Sequence, residues 1–455
     1  FRIYALGDTQ NMEKVFHKRK HWSSFQLITT GFMIVILVGA ILLMLPIASK
    51  EGVVTPFHEA LFTSTSAVCV TGLVVKDTGT YWSYFGQTII LILIEIGGLG
   101  VVTIAVAFAM FSGKKISLMQ RSTLKDAISA PKVGGIVRLT QFILKGTLII
   151  ELVGALLMMP TFIKGYGIKG IWMAIFHSIS AFCNAGFDIL GSGSNKFVSL
   201  TGYSTNWMIN ITIMGLIIVG GIGFLTWEDI YVHKFNFHKY RMQSKVILST
   251  TLFLIIVPAA FFYVNDFKYL PGNDRILASL FQSVTPRTAG FNTVDLNEMT
   301  SSSKAIMVLL MLIGGSPGST AGGMKTTTFA LLFTNMIATF SRHRDVHLFK
   351  RRISEETIKN ASTIGVMYFV LCFTGAILIS VKETLPLSTC LFETASAVGT
   401  VGLTLGITTS LSVSSQLILI FLMYLGRVGG LTLIYAVASS VHEEARLPQE
   451  KITVG

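Results

Sequence analysis

The sequence predicts an all-α membrane protein in which eight transmembrane helices and four re-entrant half-helices form four repeats within one chain. Three observations lead to this fold class. The 455-residue chain is 51% hydrophobic and 13% charged, about half the charged fraction of a soluble domain. It holds eight apolar stretches that are long enough to cross a bilayer. Between them lie four short apolar segments that each run into a glycine.

The eight long stretches are candidate membrane spans, because a transmembrane helix needs about 20 predominantly apolar residues. They lie at about 24–48, 83–111, 138–163, 206–232, 244–264, 304–340, 357–381 and 413–441. The first is too long for the apolar core of a cleaved signal peptide, and no small-residue cleavage site follows it. We therefore expect it to be a membrane span.

Basic residues concentrate in the N-terminal arm and in the connections after the second, fourth and sixth spans. These segments hold 21 of the 36 Lys and Arg residues. The positive-inside rule places them in the cytoplasm, so both termini are expected on the cytoplasmic side of a plasma membrane. Because this charge flanks spans and forms no continuous basic face, we expect no nucleic-acid binding.

The four cysteines lie in apolar runs without a CxxC pair. They are Cys69, Cys183, Cys372 and Cys390. This pattern predicts buried thiols rather than zinc ligands or disulfides.

The odd-numbered connections share one pattern, a short apolar segment followed by a glycine. The four strings are SAVCVTGL (66–73), SAFCNAGF (180–187), VTPRTAGF (284–291) and SAVGTVGL (396–403). Their glycines are separated by 114, 104 and 112 residues, which is the mark of an internal repeat. The apolar segments ahead of them, at about 57–68, 171–182, 275–285 and 387–397, are too short to cross a membrane. They therefore predict re-entrant half-helices.

Irregular backbone at membrane depth is tolerated only where protein buries it or where it lines water. Four glycine turns meet this condition together by surrounding one axis, which predicts a central pseudo-fourfold pore. Glycine accepts positive φ, so successive carbonyls can point to the axis and replace the hydration shell of a monovalent cation. The alternative is that the glycines only allow close helix packing.

The predicted selectivity filter consists of the backbone carbonyls at twelve positions. These are Val70, Thr71, Gly72, Asn184, Ala185, Gly186, Thr288, Ala289, Gly290, Thr400, Val401 and Gly402. None is acidic, so a carboxylate ring of the divalent-channel type is excluded. Asp77, Asp188 and Asp295 follow the turns and are expected to concentrate cations at the outer mouth.

These motifs resemble the Ktr/Trk/HKT superfamily of K⁺ transporters, and within it the KtrB/KtrD-type membrane subunits of bacteria. VTPRTAGFNT (284–293) and AVGTVGLT (397–404) are similar to the third and fourth filters of that family, and the resemblance extends from about residue 24 to residue 440. It implies a homodimer on a cytosolic ring of nucleotide-binding, KtrA/KtrC-like regulatory subunits. It implies K⁺ as the transported ion, leaves open Na⁺ as an activator or co-ion, and requires no organic cofactor on this chain.

The repeats divide the chain into six parts. These are a cytoplasmic arm (1–23), repeat one (24–112), repeat two (138–232), repeat three with a broken second helix (244–340), repeat four (355–441) and a cytoplasmic tail (442–455).

The sixth span contains IGGSPGSTAGGMKTTT (313–328), in which glycine and proline must break the helix. We interpret the break as a flexible loop beneath the filter, and the resemblance implies a gate that obstructs the pore. The predicted gate residues are Gly314, Gly315, Ser316, Pro317, Gly318, Ser319, Thr320, Ala321, Gly322, Gly323, Lys325 and Arg427. Packing through a GxxxG pattern is the alternative. The shorter glycine clusters at 97–100, 220–223 and 426–430 are expected to leave their spans continuous with at most a kink.

Arg427 lies in the middle of the eighth span, where an arginine is a functional candidate. It resembles the family's arginine that faces the pore near the gate. The alternative is an interior ion pair with Glu95 or Glu151. His177 and Glu393 precede the second and fourth turns at equivalent spacing, and we expect them to support the half-helices rather than bind ions.

Two functions remain after these observations. The first is K⁺ uptake by a channel-like, pore-forming subunit that a cytosolic partner regulates. The alternative is an ion-coupled secondary transporter with broken helices and alternating access. We expect no enzyme, because the sequence has neither HExxH nor GxSxG and no convincing catalytic arrangement.

Overall fold

The computed structural model describes residues 23–113, 116–130, 132–193, 195–234, 236–429 and 432. The predicted N-terminal arm up to residue 22, the end of the eighth span beyond residue 429 and the C-terminal tail lie outside the described residues, apart from residue 432.

The described chain is predominantly helical. In chain order the helices are α1 (Ser24–Met44), α2 (Phe57–Val68), α3 (Thr78–Tyr81), α4 (Tyr84–Leu99), α5 (Val101–Phe111), α6 (Leu118–Ile128), α7 (Ile136–Tyr166), α8 (Lys169–Phe182), α9 (Trp207–Gly221), α10 (Phe224–His233), α11 (Met242–Asn265), α12 (Gly272–Val284), α13 (Ser301–Leu312), α14 (Thr326–Phe340), α15 (Glu355–Glu383), α16 (Leu387–Val398) and α17 (Val413–Val428). A hairpin of two antiparallel strands, β1 (His347–Leu348) and β2 (Arg351–Arg352), connects α14 to α15.

Four of these helices, α1, α7, α11 and α15, are long and apolar enough to cross a membrane. Two bent pairs, α4 with α5 and α9 with α10, pass the same test when each pair is taken as one span. The predicted sixth span is broken into α13 and α14, as its glycines and proline require, and α17 is a shorter apolar helix.

The prediction that the second and fourth spans are continuous with at most a kink is wrong. Each pair is bent by 99°. The bends occur where Gly100 and Gly223 have φ of +88° and +90°, a left-handed conformation that ends a right-handed helix and that glycine adopts without strain. At the second bend the Phe224 N–H donates to the carbonyl of Gly318 (2.7 Å) instead of continuing the helix.

A side-chain hydrogen bond attaches each of three half-helices, α2, α8 and α12, to the long helix before it. A serine hydroxyl donates to a carbonyl of that helix, from Ser64 to Ile36 (2.7 Å), from Ser178 to Glu151 (2.6 Å) and from Ser283 to Ile255 (2.7 Å). In α16 the residue at the equivalent position is Thr394, and its hydroxyl donates to the Cys390 carbonyl of the same helix (3.0 Å). These bonds fix the orientation of α2, α8 and α12, and therefore the position at which each glycine turn begins.

Candidate functional site

Four glycine turns follow the C-terminal ends of α2, α8, α12 and α16. In each turn the first and third residues have left-handed backbone and the middle residue does not. The φ values are +50° and +92° for Val70 and Gly72, +57° and +68° for Asn184 and Gly186, +71° and +77° for Thr288 and Gly290, and +52° and +94° for Thr400 and Gly402. Such an alternation allows successive carbonyls to point to one side of the chain.

The first residue of three of the four turns is held in an unfavourable conformation. Val70, Thr288 and Thr400 are β-branched, and a left-handed φ at such a residue costs about 1–3 kcal/mol. Hydrogen bonds to the preceding helix maintain it. In the first turn the Thr71 N–H donates to the Ser66 carbonyl (2.8 Å) and the Gly72 N–H to the Ser66 hydroxyl (3.0 Å).

The fourth turn repeats these bonds with the same lengths, from Val401 and Gly402 to Ser396. In the second and third turns, the hydroxyls of Ser180 and Thr285 donate to the carbonyls of Phe187 and Phe291. These hydroxyl residues were not predicted as site residues. The signal was their spacing, because each stands six residues ahead of its glycine, or five in the third repeat.

The four glycines form a closed ring, which we call the glycine ring (Gly72, Gly186, Gly290 and Gly402). A Cβ on any member would overlap the carbonyl oxygen of the middle residue in the next turn, and the cycle closes from the fourth turn to the first. It would also lie only 3.0–3.2 Å from the Cα of the next glycine. The structure therefore brings all four predicted turns together, and only glycine fits at these contacts.

A cavity of about 140 Å³ lies on one side of the glycine ring, and all four glycines line it. Asp77 and Asp188 also line this outer cavity. Asp295 is not among its lining residues, and its carboxylate instead accepts from the Asn297 N–H (2.9 Å). Two of the three predicted mouth acids are thus close to the ring.

The two acids of the outer cavity differ in environment. Asp77 accepts hydrogen bonds from the N–H groups of Thr80 and Phe197, both at 2.7 Å. Asp188 lies in the connection between α8 and α9, outside the long helices. Its burial, together with the negative charge of Asp77, raises its pKa to about 7.

The other side of the ring is covered by the segment 313–325, here called the crossing loop. Its Ser316 and Thr320 N–H groups donate to the Gly221 and Gly220 carbonyls of α9 (2.9 and 3.2 Å). Its Gly323 N–H donates to the Gly426 carbonyl of α17 (3.2 Å). The loop therefore spans from α9 to α17 beneath the ring.

Close contact joins the crossing loop to the inner end of the fourth turn. A Cβ on Gly322 would overlap the Thr400 hydroxyl and would lie 3.0 Å from its methyl carbon. The loop thus touches a predicted filter residue directly.

Two basic side chains meet the crossing loop at an inner cavity of about 280 Å³. The Arg427 guanidinium donates to the carbonyls of Thr320, Gly97 and Gly98 (3.0 Å to Gly98). The Lys325 ammonium donates to the carbonyls of Ala321 and Gly322 (2.9 and 3.4 Å). Backbone carbonyls thus compensate both basic groups.

The alternative pairing of Arg427 with an interior glutamate is not observed. In the part of the chain that the structure describes, no ion pair joins Arg427 to Glu95 or Glu151. Arg427 instead connects the crossing loop to the end of α4.

His177 and Glu393 are fully buried, next to the glycine turns. Glu393 accepts from the hydroxyls of Thr404 (2.8 Å) and Thr408, which follow the fourth turn. His177 contacts the Met173 carbonyl through Nδ1 (2.7 Å), and its ring packs near Phe291. The contacts of these residues are those of structural supports for the turns.

Comparison of the chain with known proteins shows the family to which it belongs. The TrkH family model, described as a cation transport protein, matches residues 11–450. The chain belongs to the TrkH family. It is 40% identical over 450 residues to the potassium/sodium uptake protein NtpJ of Enterococcus hirae, covering 96% of this chain and 98% of that protein. It is 37% identical over 438 residues to the Ktr system potassium uptake protein B of Bacillus subtilis, covering 94% and 96%.

A solved structure shows the same fold. The potassium transporter TrkH from Vibrio parahaemolyticus superposes with a TM-score of 0.71 at 18% identity, covering 93% of this chain and 86% of that chain. The predicted resemblance to the Ktr/Trk superfamily is confirmed. This TrkH-family chain is a multi-pass membrane protein, and membership of a transport family confirms that it is not an enzyme.

Proposed function

We propose that this TrkH-family protein takes up K⁺ through a channel-like pore whose selectivity filter is formed by the four glycine turns. The observation that carries the proposal is the closed glycine ring with its alternating backbone. A ring of inward-facing carbonyls replaces the hydration shell of a monovalent cation without a fixed negative charge. The printed names of NtpJ and of the Bacillus subtilis protein, which describe potassium uptake, support the same ion.

The proposed filter comprises the twelve residues of the four turns, from Val70–Gly72 to Thr400–Gly402. Strained β-branched residues at its inner ends support this assignment, because such strain persists where the surrounding structure enforces a functional geometry. Asp77 and Asp188 in the outer cavity would raise the local cation concentration.

The proposed gate is the crossing loop together with Arg427 and Lys325. The loop contacts the fourth turn, and Arg427 and Lys325 line the inner cavity next to it. In this proposal a K⁺ ion that leaves the ring passes through the inner cavity. A conducting state therefore requires the loop to leave α17, which breaks the hydrogen bond from Arg427 to the Thr320 carbonyl.

The proposed architecture is four repeats of long helix, half-helix and second helix around the ring, with eight spans in total. The proposed boundaries are 24–112, 138–232, 244–340 and 355–441. The recurring order of helices in the described chain supports this division. The basic connections support cytoplasmic termini in a bacterial plasma membrane.

The proposed assembly is a homodimer on a cytosolic ring of KtrA/KtrC-like nucleotide-binding subunits. Two relatives from Bacillus subtilis are described as parts of a Ktr system, proteins B and D, the latter 32% identical over 446 residues. The hairpin β1–β2, with exposed Arg351 and Arg352, offers a basic surface on the proposed cytoplasmic side.

Uptake of ⁸⁶Rb⁺ into proteoliposomes tests the proposed function. We expect uptake that follows the membrane potential and is competed by K⁺ far better than by Na⁺. Absence of uptake with an intact, dimeric preparation would contradict the proposal. A turnover no faster than about one ion per millisecond, the time of a domain rearrangement, would favour alternating access.

A further inference from the structure

Three potential metal ligands meet behind the second glycine turn. Glu95 comes from α4, Glu151 from α7, and Cys183 is the first residue after α8. One ligand atom of each lies within 4.8 Å of the other two. The Cys183 Sγ is 3.3 Å from Oε2 of Glu95. Cys183 is fully buried and Glu151 is 6% exposed.

The cluster carries two carboxylates without a basic partner. Among the residues that the structure describes, no Lys, Arg or His forms an ion pair with Glu95 or Glu151. Oε1 of Glu151 is buried and has no hydrogen-bond partner. The nearby Arg427 is bound to backbone carbonyls. The side chains of Glu95 and Glu151 hydrogen-bond to each other. Because two carboxylates this close together are costly to bury while both are charged, a positive species between them would stabilise this arrangement.

We propose that Glu95, Glu151 and Cys183 bind one thiophilic divalent metal ion of the zinc class. A thiolate with carboxylates is a donor set that suits such an ion, whereas Na⁺, Mg²⁺ and Ca²⁺ prefer oxygen alone. A tetrahedral zinc ion, at about 2.3 Å from sulfur and about 2.0 Å from oxygen, holds the two atoms about 3.5 Å apart. The Cys183–Glu95 separation already matches this distance. Three protein ligands leave the fourth position to water.

The surrounding helices hold these ligands in place. A Cβ on Gly98 would lie 2.6 Å from the Cys183 Sγ, so glycine lets α4 approach the thiol. The Ser178 hydroxyl donates to the Glu151 carbonyl (2.6 Å) and fixes α7 against α8. Glu95 remains partly exposed, which gives an ion a route into the cluster.

The sequence pattern did not predict this site, because the partners of the cysteine are carboxylates on other helices and not a second cysteine. None of the three ligand residues belongs to the proposed filter or gate, although Cys183 directly precedes the filter residue Asn184. The occupant of the site would join α4, α7 and the start of the second turn.

Cadmium binding to the purified full-length protein in detergent tests the proposal, with Cd²⁺ as the spectroscopic probe for zinc. We expect one Cd²⁺ per chain by elemental analysis, with an ultraviolet thiolate-to-metal absorption band. Cys183→Ser should abolish the band. Glu151→Gln and Glu95→Gln should each weaken binding by about tenfold or more.

The matched control is Cys372→Ser. Cys372 is also buried, but its Sγ faces the Thr394 hydroxyl (3.6 Å) and not a carboxylate. This variant should keep the band and the stoichiometry. If Cys183→Ser does not remain monodisperse, the two glutamine variants decide the question alone.

Failure of the wild-type protein to bind Cd²⁺ would overturn the proposal and would favour a proton shared by the two carboxylates. Equal binding by wild type and by the Cys183→Ser or glutamine variants would overturn it as well. The measurement needs no ion gradient, so its outcome is separate from that of the transport assay.

Discussion

Strain at single residues shows where the backbone of this protein is constrained by its neighbours. Val70, Thr288 and Thr400 hold a left-handed φ that β-branched residues rarely adopt. The hydrogen bonds from the half-helices and the contacts around the glycine ring offset this cost. Substitutions that relieve this strain would allow the carbonyls of a turn to change direction.

The first prediction concerns Gly290→Ser. Gly290 has a φ of +77°, and a Cβ there would overlap the Val401 carbonyl oxygen. We expect the K⁺ over Na⁺ preference in ⁸⁶Rb⁺ competition to fall by about tenfold, which corresponds to about 1.4 kcal/mol. Gly202→Ser is the control, because a Cβ on Gly202 has no neighbour within 4 Å. Full selectivity in Gly290→Ser would count against the filter assignment.

The second prediction concerns the pH dependence of uptake. The pKa of Asp188 is raised to about 7, so its carboxylate is largely charged at pH 8 and largely protonated at pH 6. The attraction for cations at the outer cavity is therefore lost as the pH falls. We expect the KM for K⁺ to rise by about two- to fivefold between pH 8 and pH 6, as for a partly screened charge worth about 0.5–1 kcal/mol.

The Asp188→Asn variant should show, at both pH values, the higher KM for K⁺ that the wild type shows at pH 6. Its KM should therefore not change with pH. Asp295→Asn should behave as wild type, because Asp295 does not line the outer cavity. A pH dependence that survives in Asp188→Asn would exclude this carboxylate as its source.

At the scale of elements, the crossing loop is held by groups from four different helices, α8, α9, α10 and α17. The third prediction is that Arg427→Met raises ion flux in the absence of a regulatory partner by more than about tenfold. The reason is that hydrogen bonds from a charged donor contribute about 1.5–3 kcal/mol each, and Arg427 makes such bonds to the loop and to α4. Flux into proteoliposomes measures the effect.

Arg138→Met is the control for this variant, because Arg138 is exposed near the start of α7. Deletion of residues 317–319 from the loop should raise flux in the same way. Unchanged flux in both the deletion and Arg427→Met would remove the gate assignment.

The fourth prediction concerns the bend between α4 and α5. Gly100→Ala should lower the midpoint of thermal unfolding by roughly 2 °C, because an L-residue at φ of +88° costs about 1–2 kcal/mol. Space is not the cause, since the nearest atom to the new Cβ would be the Thr103 hydroxyl at 3.8 Å. Gly134→Ala, which has open space and no left-handed φ, should leave the midpoint unchanged. Equal midpoints for both variants would show that the bend does not depend on glycine.

Local sequence signals predicted the short helices and the broken sixth span closely. The segment predicted at about 57–68 is the helix Phe57–Val68, and the glycines and proline of the crossing loop interrupt α13 and α14. Length, hydropathy and glycine content determine these features within a few residues.

Features that depend on distant partners were not predictable in this way. The 99° bends were expected to be kinks. At Gly223 the left-handed φ accompanies a hydrogen bond from the Phe224 N–H to the Gly318 carbonyl of the crossing loop, a partner that the local sequence does not reveal. The carbonyl partners of Arg427 come from α4 and from the crossing loop. The approach of Cys183 to two carboxylates likewise exists only in the folded protein.

At the scale of the whole molecule, similar turns from one chain enclose one axis, but their surroundings differ. The crossing loop lies between α13 and α14, and it contacts the fourth turn while bonding to α9 and α17. A single chain therefore combines a nearly symmetric ring with one loop that has no counterpart at the other turns, and under the proposed function this loop would control the common passage.

Anomalous diffraction from crystals grown in Rb⁺ tests the ring most directly. We predict an anomalous peak on the axis of the glycine ring, at similar distances from the carbonyl oxygens of the four turns. Diffraction data that place the four turns apart, or that show no ion between them under conditions of measured Rb⁺ uptake, would contradict the proposed filter.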